Sequence, residues 1–254
     1  MKVIFLGTGE ACDEHCPNTS ILIKTKAKER DSSILLDCGF TTPHLFFRYV
    51  ADANELDILW ISHFHGDHFF GVPLLLLRFW EMGRERPLTI AGPAPVQQMV
   101  FQVMELAYPG FFPRLHYPVL FVEIEPENHA DIHGLCLRTA LNEHSVRSLA
   151  VRIDDNGRSI YYSGDGRPTA KALELAQGCD LVIHEAFVMD DPPAGHGSVQ
   201  GCIDFAKEAR ASRLALVHIQ REKRPMLHQK IVQLCERNPG LEIILPAPGD
   251  VLDL

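Results

Sequence analysis

Residues 61–71 read I-S-H-F-H-G-D-H-F-F-G, so that His63, His65, Asp67 and His68 fall within six residues, directly behind an apolar run at residues 56–61. Imidazole and carboxylate are ligands for a borderline divalent cation such as Zn²⁺. Alternate side chains of an extended segment share a side. His63, His65 and Asp67 can therefore converge, while His68 turns toward a neighbouring position as a helix begins. The segment thus requires a strand that ends here and a helix that starts here, with the ligands at the strand end, and it suits two cations better than one. A chance histidine cluster on a solvated loop is the bland competitor, and four ligand-type residues at one strand end speak against it. Hydrolysis at a binuclear centre is the chemistry implied.

Short apolar segments bounded by Gly, Asp or Pro predict strands at residues 3–6, 21–24, 34–37, 58–61 and 88–91. A second series follows at 120–124, 135–141, 149–153, 159–162, 181–184, 214–218 and 243–245. Helical spacing predicts helices over 72–82, 94–107, 169–176, 199–211 and 225–237. Strand groups with interspersed helices imply an α/β fold, two sheets packed face to face with helices outside. With 254 residues and no repeat, linker or low-complexity tract, one domain over 1–254 is expected. The run D-D-N-G-R at 154–158 carries an Asn-Gly pair between two strands, a strong hairpin signal. Residues 108–117 (Y-P-G-F-F-P-R-L-H-Y) lack a period and form either a pocket lip or a proline-shaped connection whose aromatics cover the core.

The formal charge of −9 opposes generic nucleic-acid affinity, so a polyanionic substrate would depend on the metal ions and a local basic patch. Seven cysteines form an odd set scattered through apparent core segments (Cys38, Cys136, Cys179, Cys202, Cys235), which argues for reduced thiols and a cytoplasmic location. Cys12, His15 and Cys16 lie close together and could hold a further ion, but a closed structural zinc site wants four ligands and no partner CxxC is present. The opening M-K-V-I-F-L-G-T-G is too short an apolar run for a secretory signal, and no window approaches a membrane span. A soluble protein that meets no membrane is expected.

Three more candidate ligands stand at the ends of predicted strands: His144, Asp165 and His218. One histidine so placed is usually structural, but three such residues beside the His63 cluster reverse the odds. On these residues the chain resembles the metallo-β-lactamase superfamily, in particular its ribonuclease Z-like branch. S-H-F-H-G-D-H-F-F-G-V-P at 62–73 is similar to the branch's T-H-x-H-G-D-H-x-x-G-L-P, and E-H-S-V-R-S-L-A-V-R-I at 143–153 resembles the segment bearing its fifth ligand. Y-S-G-D-G-R-P at 162–168 resembles S-G-D-T-R-P, H-E-A-F at 184–187 resembles H-E-A-T, G-H-G-S at 195–198 resembles G-H-S-T, and L-V-H-I at 216–219 resembles the segment of the last histidine. The opening F-L-G-T-G and the closing turn at Gly249 and Asp250 belong to the same likeness.

The resemblance implies an αββα four-layer sandwich and two Zn²⁺ per chain, with manganese or iron as substitutes. One ion would be held by His63, His65 and His144, the second by Asp67, His68 and His218, with Asp165 bridging both. Such a pair shares a water, lowers its pKa and yields a metal-bridging hydroxide as nucleophile. Asp67 would orient that hydroxide or accept its proton, while His196 would protonate the leaving oxygen, held in place by Glu185, whose charge favours the donor form. The implied substrate is a phosphodiester, either an RNA 3′ end or a small or cyclic nucleotide, and the implied assembly a homodimer. His184 is read as a satisfied buried histidine, and His15, His44, His116, His129, His133 and His228 as non-catalytic. Asp37, ending L-L-D, is expected to support the loops beneath the metals, and Gly7 and Gly9 to make a tight strand-end turn.

Three departures from the branch bear on substrate. The long arm that grips tRNA, between the fifth-ligand segment and S-G-D, is replaced by D-D-N-G-R; G-E-G-T-Q after Asp37 is replaced by Gly39-Phe40-Thr41-Thr42-Pro43; and Gly166 follows Asp165 where Thr is usual. Competing readings are a lactonase or arylsulfatase-like ester hydrolase on the same fold and a non-catalytic metal-binding module. An iron-based oxygen-reducing enzyme is disfavoured by His65, where a harder carboxylate would suit iron.

Overall fold

The computed structural model describes residues 1–26 and 31–254. Among these residues the strands form two seven-stranded sheets. The first contains β1 (Lys2–Gly7), β2 (Ser20–Thr25), β3 (Ser32–Leu36), β4 (Ile58–Trp60), β5 (Leu88–Gly92) and β6 (Val119–Glu123) in that order. The second contains β7 (His129–Ile132), β8 (Leu135–Asn142), β9 (Ser148–Asp155), β10 (Arg158–Tyr162), β11 (Leu181–Glu185), β12 (Arg213–Val217) and β13 (Glu242–Ile244), and the chain returns to pair β14 (Val251–Asp253) with β1.

Each sheet is antiparallel in one half and parallel in the other. Antiparallel neighbours can be joined by tight turns, as at Asn156 (φ 48°) and Gly157 (φ 76°) between β9 and β10, which is the hairpin expected from D-D-N-G-R. Parallel neighbours need crossovers. These supply α1 (Thr42–Tyr49), α2 (Gly66–Phe69), α3 (Val72–Glu81) and α4 (Val96–Ala107) on the first sheet, and α5 (Ala170–Ala176), α6 (Val199–Glu208) and α7 (Arg224–Arg237) on the second.

The period-two alternation of the strands sorts their side chains into layers. Val3, Phe5, Leu36 and Trp60 from the first sheet meet Leu137, Val151, Tyr162 and Ile183 from the second in a central apolar layer. Ile4, Leu6, Leu59 and Ile90 face outward against Phe46, Leu75, Leu76, Phe79 and Val100 of the helices. On the opposite face Tyr161, Val182, Leu214 and Leu216 pack on Ile203, Phe205, Ala206 and Leu227. The result is the αββα sandwich. Each large apolar side chain fully buried in these layers contributes about 1.5–3 kcal/mol.

Several local expectations are refined. β7, β14 and α1 were absent from the strand and helix reading, α2 is the helix expected to begin at His68, and most of the expected strands shift at their ends by a residue or two. Residues 108–117 cover the core: Tyr108, Phe111, Phe112 and Leu115 pack on the outer layer beside buried Tyr117, whose hydroxyl donates to Leu76 O at 2.9 Å. At Gly9 the constraint is a close approach, since a Cβ would lie 2.1 Å from Cys16 O. All seven cysteines are free, as expected, but Cys136 and Cys235 are only half-buried. No helix among the described residues is long and apolar enough to cross a membrane.

Candidate metal centre

β8 and β10 both run antiparallel to β9, and β10, β11 and β12 are mutually parallel, so these four strands end at one edge of the second sheet. Their ends carry His144, Asp165, Glu185 and His218. From the first sheet, the chain leaves β4, stays extended through His65 (φ −68°, ψ 150°) and turns into α2, which presents Asp67 and His68. The two edges meet.

The side chains fall into two groups whose ligand atoms lie within 4.8 Å of one another: His63, His65, His144 and Asp165, and Asp67, His68, Asp165 and His218. In the first, His63 Nε2 and His144 Nε2 stand 3.1 and 3.2 Å from His65 Nδ1. In the second, Asp67 Oδ2 lies 3.2 Å from both His68 Nε2 and His218 Nε2, and Asp165 approaches the same imidazoles at 3.3 and 3.4 Å. Asp165 is common to both. A third group, Glu185, His196 and His218, adjoins them. The structure thus brings together every residue that the resemblance singled out.

The donor set fits a divalent metal on three observations. Tetrahedral coordination at roughly 2.0–2.1 Å places ligand atoms roughly 3.3 Å apart, the separation seen between the facing imidazole nitrogens, whose lone pairs repel unless a cation lies among them. Buried His68 Nε2 and Asp165 Oδ1 make no hydrogen bond despite their proximity, because both point toward a shared centre rather than at each other. The opposite ring nitrogens are tied down: His144 Nδ1 donates to Gly195 O at 2.7 Å, His68 Nδ1 to Asp37 Oδ2 at 2.7 Å, and His63 Nδ1 lies 3.0 Å from Ser62 Oγ. Such partners fix the tautomer and leave Nε2 bare for a cation.

Electrostatics divides the two groups. Burial, reinforced by neighbouring imidazoles, lowers the pKa of His63 and His65 and keeps them neutral. Burial also opposes charging of His68 and His218, but Asp165 and the other carboxylates outweigh it, raising His68 well above its ordinary value and His218 to about 8. Burial disfavours ionised Asp67, yet the hydrogen bond from His218 and the nearby His68 imidazole hold it far below the usual carboxylate range, and the same imidazoles depress Asp165. The carboxylates demand positive charge at the second group, which protons or a cation can supply.

Asp37 is the hub beneath. Its carboxylate accepts from Ser62 N (2.7 Å), Ser62 Oγ (2.7 Å), His68 Nδ1 (2.7 Å) and Tyr162 Oη (2.6 Å), all buried. Asp37 and His218 both have left-handed backbones, φ 59° and 55°, a strain of order 1–3 kcal/mol each that packing must sustain. Ser62 and Tyr162 escaped sequence reasoning, because nothing in their spacing marks a hydroxyl that braces a ligand from below.

His196 Nδ1 lies 3.3 Å from Glu185 Oε1, and its ring stacks on Phe187 with centroids 4.6 Å apart. Burial lowers the His196 pKa, but the Glu185 carboxylate 3.3 Å from Nδ1 raises it overall. Glu185 itself accepts from Gly197 N (2.8 Å), Gly166 N (3.1 Å) and Phe187 N (3.2 Å). His184 is buried, with Nδ1 2.8 Å from Glu185 O. Cys12, His15 and Cys16 form no ligand group among the described residues, and His15 and Cys12 point to solvent. The third ion site is therefore withdrawn.

Residues 1–237 match the model of the family described as anti-Pycsar protein Apyc1. Ribonuclease Z of Methanosarcina acetivorans is 27% identical over 86% of this chain and 87% of its own length. The crystal structure of the short form of human tRNase Z superposes with a TM-score of 0.78 at 26% identity, covering 100% of this chain and 99% of that one. The metallo-β-lactamase-fold protein YhfI of Bacillus subtilis superposes with a TM-score of 0.80 at 24% identity over 99% of both chains.

Proposed function

The chain belongs to the anti-Pycsar protein Apyc1 family and is a metal-dependent hydrolase of the phosphodiesterase type with a ribonuclease Z-like metallo-β-lactamase fold, and from that premise we propose that it cleaves small nucleotide phosphodiesters at two zinc ions. The observation that carries this reading is the pair of ligand groups sharing Asp165, with Glu185 and His196 alongside. His63, His65 and His144 would hold one ion, and Asp67, His68 and His218 the other.

Bound there, the cations supply Lewis acidity and a water that ionises near neutral pH. Asp67, one carboxylate oxygen of which contacts His68 and His218, would orient a water at this centre and accept its proton. Glu185, anchored by three backbone N–H groups, holds His196 by Nδ1 and leaves Nε2 to protonate the departing oxygen. Residues 1–254 act as one hydrolase domain.

Between β9 and β10 stands only the Asn156–Gly157 turn, so the chain presents no arm there for a tRNA body, and the net charge of −9 offers little general hold on a polyanion. Small or cyclic nucleotides fit better. Trimming of RNA 3′ ends is the second reading, supported by the likeness to ribonuclease Z. The seven free thiols support a cytoplasmic location. Exposed Phe40, Phe70 and Leu74, on segments that pack together at Gly39 and Asp67, support a homodimer.

Zinc-loaded protein should hold two ions per chain and turn over bis(p-nitrophenyl) phosphate and a 3′,5′-cyclic nucleotide faster than it shortens a precursor tRNA with a 3′ trailer. Asp67→Ala should lose most activity on both substrates, and His196→Ala most activity on the cyclic nucleotide, whose alkoxide needs a proton. Hydrolysis of lactones or aryl sulfates in place of every phosphodiester would refute the proposal, as would two bound ions with no ester turned over.

A further inference from the structure

Arg167 lies two residues beyond Asp165 and touches neither ligand group, yet its guanidinium is spent on a single loop. Nε donates to His196 O at 3.1 Å, and one terminal nitrogen donates to Pro192 O at 2.7 Å and Pro193 O at 3.3 Å. A planar guanidinium can serve several carbonyls in one fixed orientation, which an ammonium cannot. The backbone of Arg167 is in turn pinned beside the metal centre: it exchanges two hydrogen bonds with Glu143, the neighbour of His144, at 2.9 and 3.0 Å.

The loop so held is the one that needs holding. His196 stands on neither strand nor helix, in the segment between β11 and α6. Besides Arg167, the segment is tied by Gly197 N to Glu185 Oε1, by Phe187 N to Gly197 O at 3.1 Å and by His144 Nδ1 to Gly195 O, while the His196 ring lies against Phe187 and 3.3 Å from Glu185 Oε1. The first two fix the chain after His196, and the third fixes Gly195. Among the described residues the guanidinium is the side chain that grips His196's own carbonyl, and it ties that carbonyl to the proline turn, where Pro193 O also accepts from His196 N at 3.2 Å.

We propose that Arg167 is a positioning residue that sets the distance of His196 from the leaving oxygen and so governs how well the enzyme handles poor leaving groups. This rests on the reading of His196 as proton donor. A p-nitrophenolate departs without a proton, whereas the alkoxide of a cyclic nucleotide requires one. General-acid assistance is worth roughly 10²–10⁴-fold where it is needed. Misplacing the donor should therefore be felt by one substrate and not the other.

The test compares Arg167→Gln and Arg167→Lys with wild type, all zinc-loaded, on a 3′,5′-cyclic nucleotide and on bis(p-nitrophenyl) phosphate, with amide hydrogen exchange followed in parallel. Arg167→Gln should lower kcat on the cyclic nucleotide about a hundredfold and on the aryl ester less than about threefold. Zinc content should stay unchanged, and Arg167→Lys should recover part of the loss. Exchange at the amides of residues 194–197 should rise at least about tenfold, with the strands unaffected. Equal losses on both substrates, or a rise in KM for both, would assign Arg167 to phosphate binding or general stability and overturn the proposal. Should wild type cleave no phosphodiester, the functional reading fails on its own, and unaltered exchange in the loop would separately refute the anchoring. If Arg167→Gln does not fold, Arg167→Lys decides by the same two readouts.

Discussion

Replacing Asp37 with Asn tests whether the ligands are preset by their undersides. The change keeps size and shape but swaps one acceptor oxygen for an NH₂ group. Of the four donors that Asp37 receives, Ser62 N can keep the remaining oxygen, and one hydroxyl, Tyr162 Oη or Ser62 Oγ, can rotate to accept one of the two new N–H groups. His68 Nδ1, held at 2.7 Å, has no rotor. Facing an NH₂, the ring adopts the Nε2–H tautomer, and the proton then occupies the lone pair that a cation needs. Loss of such a supporting partner costs roughly 10–100-fold in metal affinity, equivalent to about 1.4–2.7 kcal/mol. The loss should fall on the group containing Asp67, His68 and His218 and spare that of His63, His65 and His144. Competition with a chromophoric zinc chelator, together with metal counting, should show one ion retained at wild-type affinity and the other weakened. A folded Asp37→Asn protein that binds both ions as wild type does would refute the reasoning.

Stability of the metal-free protein should depend on pH in a way that zinc removes. His218 sits at about 8 in the fold against an ordinary 6.5, so its stabilisation is complete below about 6.5 and is lost as pH rises through about 8. Asp67 and Asp165 are depressed, so theirs is present above the ordinary carboxylate range and lost as pH falls below it. Thermal melts in chelator should decline from pH 6.5 to 8.5, and zinc at a hundredfold its Kd should add about 2.7 kcal/mol for each site it fills; a flat chelated profile would contradict this. Buried Cys38 and Cys202, whose pKa values are pushed up chiefly by burial, should resist iodoacetamide in the native state while exposed Cys12 reacts; equal labelling rates would count against the packing described. Phe70→Asp, at a side chain 57% exposed, should shift the chain from dimer to monomer by light scattering without unfolding it, and an unchanged mass would remove this face from the interface.

The site was largely legible because its ligands are chemically distinctive and sit at strand ends, where apolar runs stop abruptly. His144, Asp165 and His218 stood out as candidates from that coincidence, and the family resemblance gave them their places. What stayed hidden works through ordinary residue types: Ser62, Tyr162 and Arg167 matter for where their donors point, which only the folded backbone decides. The elements missed were short or polar. β7 reads H-A-D-I at a sheet edge, β14 is three residues paired with the opposite end of the chain, and α1 begins T-P with no run long enough to show a period. The odd cysteine count read correctly as reduced thiols, whereas the Cys12, His15 and Cys16 proximity did not survive, since closeness along a loop does not aim three side chains at one point.

The centre is shared between layers. His63, His65, Asp67 and His68 come from the first sheet, whereas His144, Asp165 and His218 come from the second. The first group is complete once Asp165 has been made, but the second waits for His218, so a ribosome must deliver most of the chain before both groups can form. A half-made chain carries the His63 to His68 cluster without its counterparts from the second sheet, so the paired groups exist only once the two halves have docked.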